Sequence, residues 1–485
     1  MEYVLGIDAG TTGTKSALFT AQGELIDLEY RSYPLTYPQE GWVEQRPQDW
    51  WAALKETVRT VVRRSRAGSS VRAMSLSTQG GCLVLLDGKF EPVRPAVSWL
   101  DRRAAETSDV LAREIASREL YRSCGWPVLD SLCFPTICWF RGKMPEPLAS
   151  TRYFASTIDY LNYRLTGRFV IDHTNCALTG FLDLDSRGLS EKTMRIARID
   201  AAELPEIAAS GQAIGGLDAE AARELGLSGD VLVVSGAHDR YCESVGAGAV
   251  RPGDCVLGAG TSWVLLTTSD RILFHKPVSD DRGFMRTVFP GLHPVAGRFG
   301  LMTVVPHGGN SLQWFRDVLR PDTSFEQLNT DASEIEPGSG GLLFIPVSCS
   351  KNGKGSFQGL DAAHTIEHFT RAVFEGVVFA NRMNLDLFRE AGLPIGRLTM
   401  IGGGTKSRVW PQMVADICDV PVEVPRQQEA ACTGAAVLAA AGCGVVSSVE
   451  QGSLLFKGEC ARVRPSSIGA ARYEERLSAF RRSLR

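Results

Sequence analysis

Two aspartates stand where apolar runs end. Asp8 closes Tyr3-Val4-Leu5-Gly6-Ile7, and Asp239 follows Val231-Leu232-Val233-Val234-Ser235 and Gly236-Ala237-His238. The second run is continuously apolar, the pattern of a strand buried on both faces, so it delivers a carboxylate at a strand's end. Such a carboxylate can take the proton of an alcohol while a phosphoryl group moves to its oxygen, a reaction that otherwise asks for positioning and charge neutralisation. Asp239 is the candidate base; the plain alternative is a turn aspartate that accepts backbone N–H groups.

Gly/Thr-rich turns supply the other half of that chemistry. One runs Asp8-Ala9-Gly10-Thr11-Thr12-Gly13-Thr14-Lys15, and a second, Gly258-Ala259-Gly260-Thr261-Ser262, separates Cys255-Val256-Leu257 from Trp263-Val264-Leu265-Leu266. Backbone N–H groups in such turns can converge on phosphate oxygens, and threonine hydroxyls add donors with little bulk. The pair predicts Gly10, Thr11 and Thr12 on one side of a triphosphate and Gly260 and Thr261 on the other, with Lys15 adding positive charge. Either turn alone reads equally as a plain hairpin connection. A carboxylate at position 8 beside phosphates needs a cation between them, which implies Mg2+ held through water; the alternative for Asp8 is a turn or cap residue. Gly402-Gly403-Gly404 follows the strand-like Leu398–Ile401 and precedes helical Trp410, Met413, Val414 and Ile417. Without side chains that turn would let backbone approach a flat adenine closely, or it is simply structural.

The elements that must carry these residues alternate between strand and helix. Tyr3 to Phe19 reads as a β-hairpin with an unusually long polar turn. After Pro47, Trp50 or Trp51, Leu54, Val58 and Val61 fall at helical spacing, with Gly68 as the stop. Val71–Ser77 reads as a strand leading into Gln79-Gly80-Gly81 and the apolar Leu83–Leu86. Ile366, Phe369, Val373, Val377 and Ala380 mark a long amphipathic helix. The repeated hairpin predicts duplicated α/β domains, 1–245 and 246–485, the first carrying the base and the first phosphate turn, the second mainly nucleotide-binding.

Bulk properties exclude several classes. A chain of 485 residues exceeds one ordinary core, and 44% hydrophobic with 22% charged residues is globular. A formal net charge of −3 gives no field for nucleic acid or anionic lipid. The basic runs Arg63–Arg66 and Arg481–Arg485 are expected to be solvated surface. Twelve cysteines are scattered without paired spacing, the opening residues lack a leader pattern, and the uncharged run Gly434–Val446 is too short for a bilayer. A cytoplasmic protein with a small-molecule partner is expected, with no zinc site and with a homodimer as the assembly considered.

With these pieces in place the chain resembles the FGGY carbohydrate kinases, a family that includes glycerol kinase, xylulokinase and gluconokinase. The resemblance spans nearly the whole length. Its most specific stretch runs from Gly402-Gly403-Gly404-Thr405-Lys406-Ser407-Arg408-Val409-Trp410-Pro411 to Asp416, continuing through Pro421-Val422, Pro425, Glu429-Ala430 and Thr433-Gly434-Ala435-Ala436. Gly6-Ile7-Asp8-Ala9-Gly10-Thr11-Thr12, Gly41-Trp42-Val43-Glu44-Gln45, and Trp99 with Asp101-Arg102-Arg103 also match landmarks. The resemblance implies two ribonuclease H-like domains of the actin, hexokinase and Hsp70 type, with ATP and Mg2+ serving a sugar, polyol or sugar acid in an interdomain cleft. Carried over, Thr11, Thr12, Thr261, Gly309, Gln313, Gly403, Gly404 and Ser407 would contact nucleotide, and Asp239 would be the base.

On the substrate side the implied positions are Gln79, Gly80, Gly81, Trp99, Asp239 and Arg240. Gly80 and Gly81 stand where glycerol kinase and xylulokinase carry Arg-Glu and Met-His, so two polar anchors are missing and open volume is expected. Arg240 has two readings: it meets an acidic substrate, or it pairs with a nearby carboxylate. Thr136 also replaces the lysine of the family's first signature. Two other classes compete, an ATP-binding protein of the actin and Hsp70 kind and a degenerate kinase kept as a regulatory module.

Overall fold

The computed structural model describes residues 2–114, 117–275, 287–349 and 353–484. Contacts divide the chain into two compact units: Met1–Val250 with Pro290–Phe299 and Glu429–Gly458, and Arg251–Phe289 with Gly300–Gln428 and Glu459–Arg485. Beyond a division along the sequence near residue 245, two later segments thus fold into the first unit.

The first unit is built on strands β1 (Tyr3–Ala9), β2 (Gly13–Thr20), β3 (Leu25–Ser32), β4 (Val71–Thr78), β5 (Ala213–Gly216) and β6 (Leu232–His238), in spatial order β5-β6-β4-β1-β2-β3. β1, β4 and β6 run parallel, while β2, β3 and β5 are antiparallel to their neighbours. The central strands read as apolar runs because both faces are covered. The edge strand β3, Leu-Ile-Asp-Leu-Glu-Tyr-Arg-Ser, is nowhere fully buried. Registers Ala9↔Thr78 and His238↔Thr78 set the C-terminal ends of β1, β4 and β6 side by side, the edge at which open α/β sheets bind ligands.

The hairpin turn is tighter than its sequence suggests. Asp8 pairs with Lys15 and Ala9 with Thr14, and the Gly10 N–H bonds the Gly13 carbonyl at 3.0 Å, leaving only residues 10–12 outside the ladder. The polar Thr14 and Lys15 conceal the strand because Lys15 faces a paired carboxylate instead of the core. The helix after β3 runs Pro47–Ser65 with Trp50, Leu54, Val58 and Val61 buried. Its stop is Arg66, at φ 56, and not Gly68; a left-handed residue frees its N–H to cap the Val62 carbonyl.

Helix Ala430–Gly442 is buried almost all round, and its small residues allow backbone to touch backbone. A Cβ at Gly6 would lie 1.9 Å from the Cys432 carbonyl oxygen, one at Gly434 1.9 Å from that of Cys242, and one at Gly246 2.0 Å from that of Ala430. These glycines lock the helix against β1 and against helix Asp239–Gly246. The apolar run Gly434–Val446 therefore packs mostly into the core, and no helix among the described residues is long and apolar enough to cross a membrane.

Within a seven-stranded sheet the second unit sets β7 (Asp254–Ala259), β8 (Trp263–Ser269), β9 (Phe299–Val305), β10 (Arg397–Ile401), β11 (Val422–Pro425) and β12 (Cys460–Val463) in the order β9-β8-β7-β10-β11-β12; the sheet's seventh, edge strand is Phe289–Leu292. β7 and β8 form the second Gly/Thr hairpin, and β7, β10 and β11 are parallel. In each unit a Gly/Thr hairpin has a further strand beside its second strand and parallel strands added beside its first; this is the expected ribonuclease H-like arrangement. Helix Ile366–Glu390 carries Val373, Val377 and Phe388 into a core shared with Leu257, Leu265 and Leu398.

All twelve cysteines are free thiols, most of them buried. Among the described residues no group of three or more His, Cys, Asp or Glu side chains could hold a metal ion. Of the two basic runs, Arg64 pairs with Asp27 and Glu29 and Arg481 with Asp386, while Arg485 lies outside the described residues.

Candidate active site

In the first unit the predicted residues gather at the ends of β1, β4 and β6. Asp239 is the first residue of helix Asp239–Gly246, directly after β6, and keeps 23% of its side chain exposed, so an acceptor can reach it. Its Oδ1 lies 3.1 Å from His238 Nε2 and 3.4 Å from Arg240 Nε, yet accepts no hydrogen bond. Burial pushes this carboxyl up, but Arg240, His238 and the Arg240 N–H outweigh burial and hold it below the ordinary carboxylate range. It is ionised and able to accept a proton at neutral pH.

Asp8 is tuned the other way. Burial and the negative Asp239 raise it to about 6, against a 2.8 Å hydrogen bond from Ser77 Oγ and the charges of Lys15 and Arg240. Lys15 Nζ donates to Glu429 Oε2 at 2.7 Å, from the residue that opens helix Ala430–Gly442. Burial alone would lower Lys15, but Glu429 keeps it protonated.

Arg240 is paired within its own helix. Nη1 donates to Glu243 Oε2 at 2.7 Å and Nε approaches Asp239, so the guanidinium is matched by two carboxylates of its own helix. Burial and nearby Asp239 and Asp8 push Glu243 up despite that partner.

The volume expected at Gly80 and Gly81 is filled. A Cβ at Gly80 would lie 2.1 Å from Leu178 Cδ1 and 2.7 Å from His238 Cδ2. Gly81 sits at φ +74, and a Cβ there would be 2.6 Å from the Ser131 carbonyl oxygen. Here the glycines admit Leu178 and His238 instead of leaving a larger pocket. Gln79 is buried, and Trp99, which is exposed, donates from Nε1 to Thr11 Oγ1 at 3.1 Å.

The turn at residues 10–12 has every carbonyl fastened from behind. Tyr33 Oη donates to the Gly10 oxygen at 2.5 Å, Gln45 Nε2 to the Thr11 oxygen at 2.8 Å, and Tyr30 Oη to the Thr12 oxygen at 3.2 Å. Among the described residues the Thr11 and Thr12 N–H groups meet no protein acceptor. Free donors on a turn with anchored carbonyls are suited to an anion.

Gly260, Thr261, Gly309, Gln313, Gly403, Gly404 and Ser407 all line one cleft of about 680 Å³ in the second unit. The Gly309 and Asn310 N–H groups hold the Gly260 and Thr261 carbonyls at 3.1 Å each, so this turn is also anchored through its oxygens. That contact needs glycine, because a Cβ at Gly309 would come within 2.4 Å of the Gly260 oxygen. Ser407 Oγ is engaged within the protein, donating to Asn329 Oδ1 and accepting the N–H groups of Val409 and Trp410 at 3.2 and 3.1 Å. Gln313 Nε2 donates to Asp317 at 2.6 Å. Lys406, Arg408, Phe325 and Asn329 also line the cleft and were not singled out from the sequence. The two lysine and arginine positions stood inside the quoted Gly-rich motif, which was their only signal; Phe325 and Asn329 arrive from a distant helix and had none.

Parallel strand ends that carry carboxylates beside a Gly/Thr hairpin, with that hairpin repeated in a second unit, define a phosphotransferase of the duplicated ribonuclease H-like class. The profile of the FGGY family of carbohydrate kinases, N-terminal domain, matches residues 3–246, and that of the C-terminal domain residues 255–443. This chain therefore belongs to the FGGY family of carbohydrate kinases, phosphotransferases with an alcohol acceptor. It is 30% identical to the xylulose kinase of Bacillus subtilis (strain 168), over 99% of this chain and 96% of that one. The gluconokinase of the same organism is 27% identical, over 99% and 94% of the two chains. Among solved structures, the xylulose kinase from Rhodospirillum rubrum superposes with a TM-score of 0.89 at 26% identity, covering 99% of this chain and 98% of that one.

Proposed function

We propose that this carbohydrate kinase transfers the terminal phosphoryl group of Mg-ATP to a hydroxyl of an uncharged sugar or polyol. The observation that carries the reading is Asp239, partly exposed at the end of β6, held ionised by two basic neighbours, with one oxygen accepting no hydrogen bond. Through its exposed part the carboxylate takes the acceptor's proton as the alcohol oxygen becomes the nucleophile, while the buried Oδ1 faces His238 and Arg240. Arg240 and His238 keep the carboxylate charged before transfer, and the Thr11 and Thr12 N–H groups receive phosphate oxygens. The second unit's cleft holds the nucleotide.

Asp8 would hold Mg2+, through water. Its oxygen donors suit that ion, and burial together with the negative Asp239, which raise its pKa, penalise a bare charge that a cation would offset. When bound, the ion neutralises charge on the phosphates.

An uncharged acceptor is favoured because, among the described residues, the carboxylates of Asp8, Asp239, Glu243 and Glu429 are met by Lys15, Arg240 and the buried His238, and both Lys15 and Arg240 are already paired. Xylulose kinases and gluconokinases among the relatives represent the two alternatives. ADP release measured across pentuloses, polyols and aldonic acids tests this: turnover is expected with neutral acceptors and at least tenfold lower kcat/KM with aldonates. Preferential turnover of aldonates would contradict the choice of acceptor, and ADP release independent of any sugar would contradict the kinase reading.

A further inference from the structure

The landmark Gly41-Trp42-Val43-Glu44-Gln45 and the landmark around Trp99 have so far no part in the chemistry. In the fold they are one scaffold. Glu44–Gln45 pairs antiparallel with Ala96–Val97, and the Arg103 guanidinium, fully buried, bonds Glu44 and Asp101 at 2.8 Å each and lies 3.7 Å over the Trp42 ring. Asp101 Oδ2 accepts the Val43 N–H at 2.6 Å. This buried ion network has one product at its tip: the side chain of Gln45, 1% exposed, aimed at the phosphate turn.

From Gln45 a chain of amides runs back to the end of β4. Gln45 Nε2 donates to the Thr11 carbonyl at 2.8 Å, and Gln79 Nε2 donates to Gln45 Oε1 at 2.9 Å. Which end of an amide is oxygen is fixed by its partners. A carbonyl can only accept, so Gln45 must turn its NH2 to Thr11 and its oxygen to Gln79. Gln79 must then donate, and its own oxygen is forced to be the free end. That oxygen, on a side chain 2% exposed, is buried and has no partner, on a residue whose own N–H bonds the Ala9 carbonyl at 3.0 Å, one position beyond Asp8. A buried acceptor left open is costly unless a donor arrives.

We propose that Gln79 Oε1 is a specificity-determining acceptor reserved for a hydroxyl of the sugar, with Gln45 as the positioning residue that fixes its polarity and ties it to the phosphate turn. This rests on the sugar-kinase reading above. The relay accepts a hydroxyl and rejects an oxygen that cannot donate, which deepens the preference for polyhydroxy acceptors over groups such as a carboxylate. Its anchor at Thr11 links the sugar position to the turn assigned to phosphate.

The wild-type enzyme, Gln79→Met and Gln45→Met are assayed with the best neutral acceptor and its single-deoxy and deoxyfluoro analogues, with KM for sugar and for ATP determined separately. At one position the deoxy and the deoxyfluoro compounds should be equally poor for the wild type, each raising KM about tenfold, because fluorine cannot donate a hydrogen bond. Gln79→Met should raise KM for the parent sugar by about the same factor, erase that analogue penalty and leave KM for ATP unchanged. Gln45→Met should raise both KM values. A fluoro analogue as good as the parent at every position would overturn the relay from wild-type data alone, whether or not the variants fold. So would a Gln45→Met enzyme of normal melting temperature whose KM for ATP stays within twofold. Absence of sugar-dependent turnover in the wild type would overturn the kinase reading and the relay together, whereas turnover without this pattern overturns the relay only.

Discussion

Asp8 and Asp239 are neighbouring carboxylates tuned in opposite directions, consistent with the proposed division between a cation ligand and a base. The linkage for Asp8 has a definite sign. Its native pKa of about 6 lies above the ordinary 3.8, so the native state holds the proton more tightly, and stability falls as pH rises through that window. Above it the charged, half-buried group costs about 1–2 kcal/mol after allowance for solvent screening. Asp8→Asn should therefore melt higher than the wild type at pH 7 without Mg2+ and equal to it below about pH 4. It should also lose most of its kinase activity. Calorimetry at the two pH values checks the first outcome, and a melting point that drops at pH 7 would contradict it.

At this scale the sequence revealed the carboxylates, because each followed an apolar run. It did not reveal their surroundings. Glu429 reaches Lys15 across 414 positions, and the filled space at Gly80 belongs to Leu178 and His238, which no local spacing connects to it.

Among elements, the packing of helix Ala430–Gly442 is the most demanding. Replacing hydrogen by methyl at Gly6 or Gly434 sets carbon 1.9 Å from a backbone oxygen, and backbone cannot rotate aside as a side chain can. Gly434→Ala is expected to destabilise the first unit by about 3 kcal/mol or more, and Gly88→Ala, where a Cβ meets nothing within 4 Å, by less than about 0.5 kcal/mol. Denaturant midpoints of the two variants measure the contrast. Both hairpins, the strand before Asp239 and the long helix Ile366–Glu390 were legible from apolar period. The true extent of the first hairpin was not, because Thr14, polar yet buried, and Lys15, paired with Glu429, sit in strand positions and break the alternation on which a strand is recognised. The return of Glu429–Gly458 to the first unit was equally hidden, since small residues on every side of a helix show that it is buried without showing where.

For the whole molecule, two units that each set a Gly/Thr hairpin beside parallel strands account for the repeated turn and for family profiles that divide the chain between residues 246 and 255. Class and fold were readable because they rest on repeated, local signals. The proposed acceptor was not, because that proposal rests on how Arg240 and Gln79 are partnered, and partners are a property of the folded chain. The account stands on proton removal by one carboxylate. The most direct test is kcat of Asp239→Asn with the best neutral acceptor, alongside its affinity for ATP. Loss of the base should lower kcat by about 10²–10⁴-fold with ATP affinity within a few-fold of wild type; a variant that keeps kcat within tenfold while folding normally would contradict it.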